Sequence, residues 1–82
     1  MFFKLFDMMG WIDQGHKRAA RTARQTFSAA YPGEHIAWTE IAEETPERFI
    51  VGVHYGGGNP KKCKHYAVDR ESFLTTETTY QP

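Results

Sequence analysis

Three side chains that could bind a metal ion or act as a nucleophile lie close together in the second half of the chain: His54, Cys63 and His65. Cys63 and His65 are two residues apart, so in a strand their side chains point to the same face. The alternating apolar run over residues 48–55 predicts a neighbouring strand that carries His54. The pattern therefore allows a cluster of three ligands on one face of a sheet.

The spacing of these residues does not match the usual chemistry of either kind of site. Structural zinc sites use four ligands in paired spacings and catalytic sites use three ligands plus a water, whereas this chain has one cysteine and no such pairs. A nucleophilic Cys63 needs a thiolate and an oxyanion hole, and only the neighbouring Lys61, Lys62 and Lys64 are expected to lower its pKa. We predict no catalytic residue, no metal site, no cofactor and no enzymatic activity.

The run Gly-Gly-Gly-Asn-Pro-Lys-Lys over residues 56–62 raises the question of a phosphate-binding loop. Such a loop needs the spacing Gly-x-x-x-x-Gly-Lys-Ser/Thr and a helix after it, so that backbone N–H groups face the phosphate. This run has neither feature. We predict a hairpin loop whose glycines permit positive φ angles and whose Pro60 ends the strand pairing.

Length and composition predict one small globular domain spanning residues 1–82. The chain is 40% hydrophobic and 24% charged, and it is too short to stabilise a second core. A single cysteine rules out an internal disulfide and favours a reducing compartment, so we predict a cytoplasmic location. The apolar segment 1–12 contains Lys4 and Asp7 and is shorter than the ~20 residues of a membrane span. We expect it to cover the core, a dimer partner or a membrane interface.

The net charge is zero, but charge alternates along the chain. Residues 1–31 carry five basic and two acidic side chains, residues 32–50 carry one basic and five acidic, and residues 51–70 carry four basic and one acidic. Such alternation is typical of neighbouring elements that screen each other. The four glutamates between residues 40 and 47 surround a predicted turn, where solvated carboxylates are expected.

Periodicity predicts an α+β fold with one N-terminal helix, residues 13–31, packed on a four-stranded antiparallel meander within residues 35–80. Asp13 is the expected N-cap, and the Pro-Gly after Tyr31 is the expected stop. The segment before Asp13 is either a separate first turn or a continuation of this helix, because Gly10 and Gly15 both weaken helix propensity. The first strand changes parity, which predicts a bulge near Thr39, and the last strand is predicted over residues 73–80. Short connections favour antiparallel pairing. The predicted core contains Ile12, Ala23, Phe27, Val51, Val53, Tyr66 and Val68.

This order of elements, together with the run Lys-His-Tyr-Ala-Val-Asp over residues 64–69, resembles the small cystatin-like α+β domains of bacteria, including the PepSY type. Tyr66, Val68 and Asp69 match the Val-Asp turn before the last strand of that type, with Glu71-Ser72 in place of its Thr-Gly. The resemblance implies the fold alone. The Gln-Val-Val-Ala-Gly hairpin of inhibitory cystatins is missing, so protease inhibition is not implied.

Function is predicted at the level of a class. We expect a non-enzymatic protein-interaction or small binding module that forms a homodimer through residues 2–12 or through the sheet face that the helix leaves open. The alternative is single-stranded nucleic-acid binding by the basic helix face and the lysine-rich hairpin. The predicted partner-binding residues for both are Arg21, Arg24, Lys61, Lys62, Lys64 and His65.

Overall fold

One helix is followed by four strands in the computed structural model, which describes residues 2–81 and the side chains of residues 15–81. The elements are α1 (Phe2–Ala30), β1 (Ile36–Glu44), β2 (Arg48–Tyr55), β3 (Lys62–Asp69) and β4 (Thr75–Thr78). The strands form one sheet in the order β1-β2-β3-β4, and each pairs antiparallel with the next. The predicted α+β meander is confirmed.

Helix α1 begins at Phe2, so the predicted start at Asp13 is wrong. Gly10 and Gly15 each weaken a helix by about 1 kcal/mol relative to alanine, which the good helix formers around them outweigh. Gly15 also suits its place, because a Cβ there would lie 3.4 Å from the ring of Phe49. In the described part of the chain, no helix combines the length and the apolar character needed to cross a bilayer.

Strand β1 has two register shifts, one between Ile36 and Trp38 and one between Ile41 and Glu43. The predicted single bulge near Thr39 is therefore replaced by one irregularity on each side of it. The first shift changes the parity of the strand, so that Ile36 and Ile41 both pack against the core. Trp38 points to the opposite face and remains 49% exposed.

Strand β4 is four residues long, shorter than the predicted strand over residues 73–80. A tight turn occupies the positions before it, where Phe73 has a φ of 58°. The Asp69 carboxylate accepts hydrogen bonds from the backbone N–H groups of Ser72 and Glu71, both at 2.9 Å. These bonds stabilise the charged carboxylate and lower the pKa of Asp69.

The core lies between α1 and one face of the sheet. Phe27 is fully buried, and its ring centroid lies 5.1 Å from that of Tyr31 and 4.7 Å from that of Tyr55. Small side chains at Ala19 and Ala23, also fully buried, let the helix approach the strands closely. The predicted core residues Ala23, Phe27, Val51, Val53, Tyr66 and Val68 are confirmed as buried, and Ile12 lies outside the described side chains.

A cluster of polar contacts, here called the Glu44 clamp, joins α1 to the end of the sheet. Arg70 Nη1 donates to one oxygen of Glu44 at 2.7 Å, and His16 Nε2 lies 2.7 Å from the other. The hydrogen bond from Arg70 is the main reason why the pKa of Glu44 is lowered, and the hydrogen bond with His16 adds to this effect. The rings of His16 and Phe49 meet edge to face at 5.3 Å. The clamp therefore ties α1 at His16 to the end of β1 and to the residue that follows β3.

Tyr66 carries a buried hydroxyl that has no hydrogen-bond partner among the described residues. Burial is the main reason why the pKa of Tyr66 is raised to about 12. An unpaired buried polar group costs about 1–3 kcal/mol. We therefore expect Tyr66→Phe to raise the free energy of unfolding by about 1 kcal/mol, which corresponds to about 4–8 °C in the unfolding temperature of a domain of this size.

Thermal and urea unfolding followed by circular dichroism would measure this gain. Tyr31→Phe is the matched control, because the Tyr31 hydroxyl donates to Glu77 Oε1 at 2.9 Å and its loss should leave stability unchanged or lower. A Tyr66→Phe protein that unfolds at a lower temperature than the native protein would show that the hydroxyl is satisfied in solution.

Candidate functional site

The face of the sheet opposite α1, here called the open face, carries the side chains that could bind a metal ion or act as a nucleophile. Cys63 pairs with His54 across β2 and β3, and His65 follows two residues later on the same side of β3. The cluster of His54, Cys63 and His65 that residue parity allows is therefore formed. Three further polar or aromatic residues described on this face are Trp38, Glu40 and Tyr80.

The Cys63 thiol lies between two imidazoles. Its Sγ atom is 3.8 Å from His54 Nε2 and 3.9 Å from His65 Nε2, and Glu40 Oε1 is 2.9 Å from His54 Nε2. Gly52 lies beneath them, because a Cβ there would be 3.2 Å from Glu40 Oε1 and 3.5 Å from Cys63 Sγ. The missing side chain of Gly52 leaves the space in which carboxylate and thiol approach each other.

Two aromatic rings flank the imidazoles. Trp38 stacks on His54 with a centroid distance of 4.4 Å and an interplanar angle of 13°, and Tyr80 lies 5.2 Å from His65. Such contacts restrict rotation of the imidazole rings. Sequence reasoning missed Trp38, because the register shift at the start of β1 decides which face it occupies.

The segment after β4 crosses the open face. The Tyr80 hydroxyl lies 3.5 Å from the carbonyl oxygen of Ala42 in β1, at the other edge of the sheet. Ile50, which lies on this face in β2, is only 2% exposed although it is not part of the core cluster. The segment after β4 thus covers part of the open face. This cover is not predicted from the sequence, which assigns residues 79 and 80 to the last strand.

The Cys63 thiol is not activated. Partial burial and then the charge of Glu40 raise the pKa of Cys63, so the expected lowering by neighbouring lysines is wrong. Alternation along β3 points Lys62 and Lys64 toward the other face. In addition, His54 meets both Glu40 and Cys63 with the same nitrogen, Nε2, whereas a carboxylate–imidazole–nucleophile relay uses one ring nitrogen for each partner.

The predicted partner-binding arginines lie on the solvent side of α1. Arg21 and Arg24 are exposed and line a shallow depression with Lys17, Ala20 and Gln25. The Thr22 hydroxyl meets the Thr75 hydroxyl of β4 at 3.1 Å. Arg24 is two residues after Thr22 and therefore lies about 200° from it around the helix axis. Arg24 therefore projects away from the side of α1 that faces β4.

The hairpin cations lie elsewhere. Lys64 Nζ is 5.2 Å above the ring of Tyr31 and 3.9 Å from Glu77 Oε1. The contact with Tyr31 is the main reason why the pKa of Lys64 is raised, and the charge of Glu77 adds to it. His65 points to the open face, opposite to Lys64. The six predicted residues are thus divided between the solvent side of α1 (Arg21, Arg24), the hairpin and helix side of β3 (Lys61, Lys62, Lys64) and the open face (His65).

Comparisons of this chain with protein-family models, with curated proteins and with solved structures find no match. The resemblance to cystatin-like domains therefore remains a prediction.

Proposed function

We propose that this chain is a non-enzymatic protein-interaction module that self-associates through the first half of α1, residues 2–14. The observation that carries the proposal is the length of the helix. Its 29 residues span about 43 Å at 1.5 Å per residue. The longest strand has nine residues and spans about 30 Å. The sheet is therefore too short to cover the whole helix.

The helix–sheet contacts indicate which half of α1 extends past the sheet. Phe27 packs on Tyr55, the last residue of β2, and His16 packs on Phe49 near the first residue of that strand. Helix and strand therefore run in the same direction. The 13 residues before Gly15 add about 20 Å of helix beyond the Glu44 clamp. The longest dimension of the molecule, 48 Å, agrees with such a projection.

The composition of this half supports an apolar contact. Residues 2–14 include eight large apolar residues: Phe2, Phe3, Leu5, Phe6, Met8, Met9, Trp11 and Ile12. The helical repeat places positions 5, 9 and 12 in line with positions 19 and 23, which face the sheet. An isolated helical segment of this length is marginally stable in water. Pairing with the same segment of a second copy would bury the apolar line and stabilise the helix.

The non-enzymatic part of the proposal is supported by the chemistry of the open face. Its only thiol among the described residues has a raised pKa, and the imidazole beside it is not arranged as a relay. A reducing compartment such as the cytoplasm is part of the proposal, because Cys63 has no second cysteine in this chain to pair with.

Sedimentation equilibrium of the full chain and of a chain comprising residues 15–82 tests the proposal. We expect a concentration-dependent dimer for the full chain and a monomer for the shorter one, with the far-ultraviolet circular dichroism of the sheet retained in both. Equal molecular masses for the two chains across the concentration range would contradict it.

A second candidate function is single-stranded nucleic-acid binding, now restricted to Lys17, Arg21 and Arg24. It is favoured by the exposed depression that these three cations line on the solvent side of α1. Neutralising three phosphates of a single strand predicts a slope of about −2 in a plot of log affinity against log salt.

Fluorescence polarisation with labelled oligonucleotides at several salt concentrations measures that slope. The triple change of Lys17, Arg21 and Arg24 to glutamine should abolish binding, whereas Lys62→Gln, which removes a charge at the hairpin end of β3 and outside this depression, should leave it unchanged. No binding at low salt would remove this candidate.

A further inference from the structure

We propose that Cys63 and His65 bind a soft monovalent metal ion of the Cu(I) class on the open face. The two residues stand side by side on β3, with Cys63 Sγ 3.9 Å from His65 Nε2. They also line an open depression next to the segment that follows β4. The residues around this depression are Cys63, Lys64, His65, Glu77, Thr78, Thr79 and Tyr80.

The separation of the two donor atoms fits an ion placed between them. Metal–sulfur and metal–nitrogen bonds of about 2.3 and 2.0 Å put the two donors about 3.5 Å apart at a tetrahedral angle and about 4.3 Å apart on opposite sides of the ion. An ion with only these two donors holds them on opposite sides, and the observed 3.9 Å is about 0.4 Å shorter than that separation. A small rotation of the two side chains would therefore accommodate the ion.

The number of donors selects the kind of ion. In the described part of the chain, no group of three or more His, Cys, Asp or Glu side chains is arranged to hold a metal ion. Zinc, which takes three or four protein ligands, is disfavoured for that reason. A soft d¹⁰ monovalent ion is satisfied by two donors, and thiolate ligands favour Cu(I).

Of the two imidazoles near the Cys63 thiol, His65 is better suited than His54 to bind the metal ion together with Cys63. His54 Nε2 is already 2.9 Å from Glu40 Oε1, so metal binding there would break that contact. No carboxylate contact to His65 Nε2 is found among the described residues, and the Tyr80 ring beside it limits its rotation. Binding forms one metal–sulfur and one metal–nitrogen bond and releases the Cys63 thiol proton to solvent. The oxidation state of the ion does not change.

Anaerobic titration of the reduced full chain with Cu(I), in competition with a chromophoric Cu(I) chelator, tests the proposal. We expect one ion per chain. Cys63→Ser should weaken binding at least 100-fold and His65→Ala about 10–100-fold, while His54→Ala should have a smaller effect. His35→Ala is the matched control, because it removes an exposed imidazole outside the cluster and should change nothing.

Three results would overturn the proposal. Unchanged Cu(I) affinity in Cys63→Ser would show that the thiol is not a ligand. Unchanged Cu(I) affinity in His65→Ala would show that the imidazole of His65 is not a ligand. A tight zinc site with the same dependence on these residues would contradict the two-donor assignment. Circular dichroism of each variant shows that it is folded, so that a lost site is not confused with a lost fold.

Discussion

Replacing Phe27 with alanine is expected to lower the free energy of unfolding by about 3–5 kcal/mol, the cost of removing a fully buried aromatic side chain. Phe27 has no exposed surface, and its neighbours along the buried line of α1 are alanines. It is thus the one large, fully buried side chain that the described part of α1 contributes to the core. Small domains have total stabilities of about 5–15 kcal/mol, so this change removes a large fraction.

Urea unfolding followed by circular dichroism measures this loss. Trp38→Ala is the control, since it also truncates a large aromatic residue, but one that is 49% exposed on the open face. We expect it to cost less than about 1 kcal/mol, as surface substitutions usually do. Equal losses in the two variants would mean that α1 does not pack on the sheet through Phe27.

Replacing Leu5 with aspartate is expected to weaken self-association at least 100-fold. This factor corresponds to about 2.8 kcal/mol at 1.4 kcal/mol per tenfold change in affinity. Position 5 lies on the line of α1 that we propose to be covered by a second copy. An ionised carboxylate placed in an apolar contact without a partner loses its hydration, which costs several kcal/mol.

Gln14→Asp is the matched control for this experiment. It introduces the same charge nine residues further along the helix, which is about 180° from position 5 around the helix axis. Sedimentation of both variants across a concentration range should show a monomer for Leu5→Asp and native-like association for Gln14→Asp. Equal effects of the two changes would indicate a general response to charge.

Much of the fold follows from local sequence patterns. The alternation over residues 48–55 matches β2 residue for residue, and the alanine-rich line of α1 indicates the face that packs closely on the sheet. The start of α1 could not be predicted, because glycines at positions 10 and 15 suggest an interruption while the helix around them continues. The position of Tyr80 depends on a contact with Ala42, which lies 38 residues away in sequence.

The open face was predictable in part. Strand parity places Cys63 and His65 on one face, and the register of β2 with β3 brings His54 to the same face. The remaining members depend on tertiary structure, since the register of β1 decides that Trp38 and Glu40 join them. The direction of the Cys63 pKa shift also needs the structure, because adjacent lysines suggest a decrease while burial and Glu40 produce an increase.

Amide hydrogen exchange along α1 as a function of protein concentration tests the central claim most directly. Under the proposed self-association, the protection of residues 2–14 comes from the second copy, because a helical segment of this length opens readily by itself. We predict that their protection increases with concentration while that of residues 15–30 stays constant. Fast exchange of residues 2–14 at every concentration, or protection that does not depend on concentration, would contradict the proposed self-association.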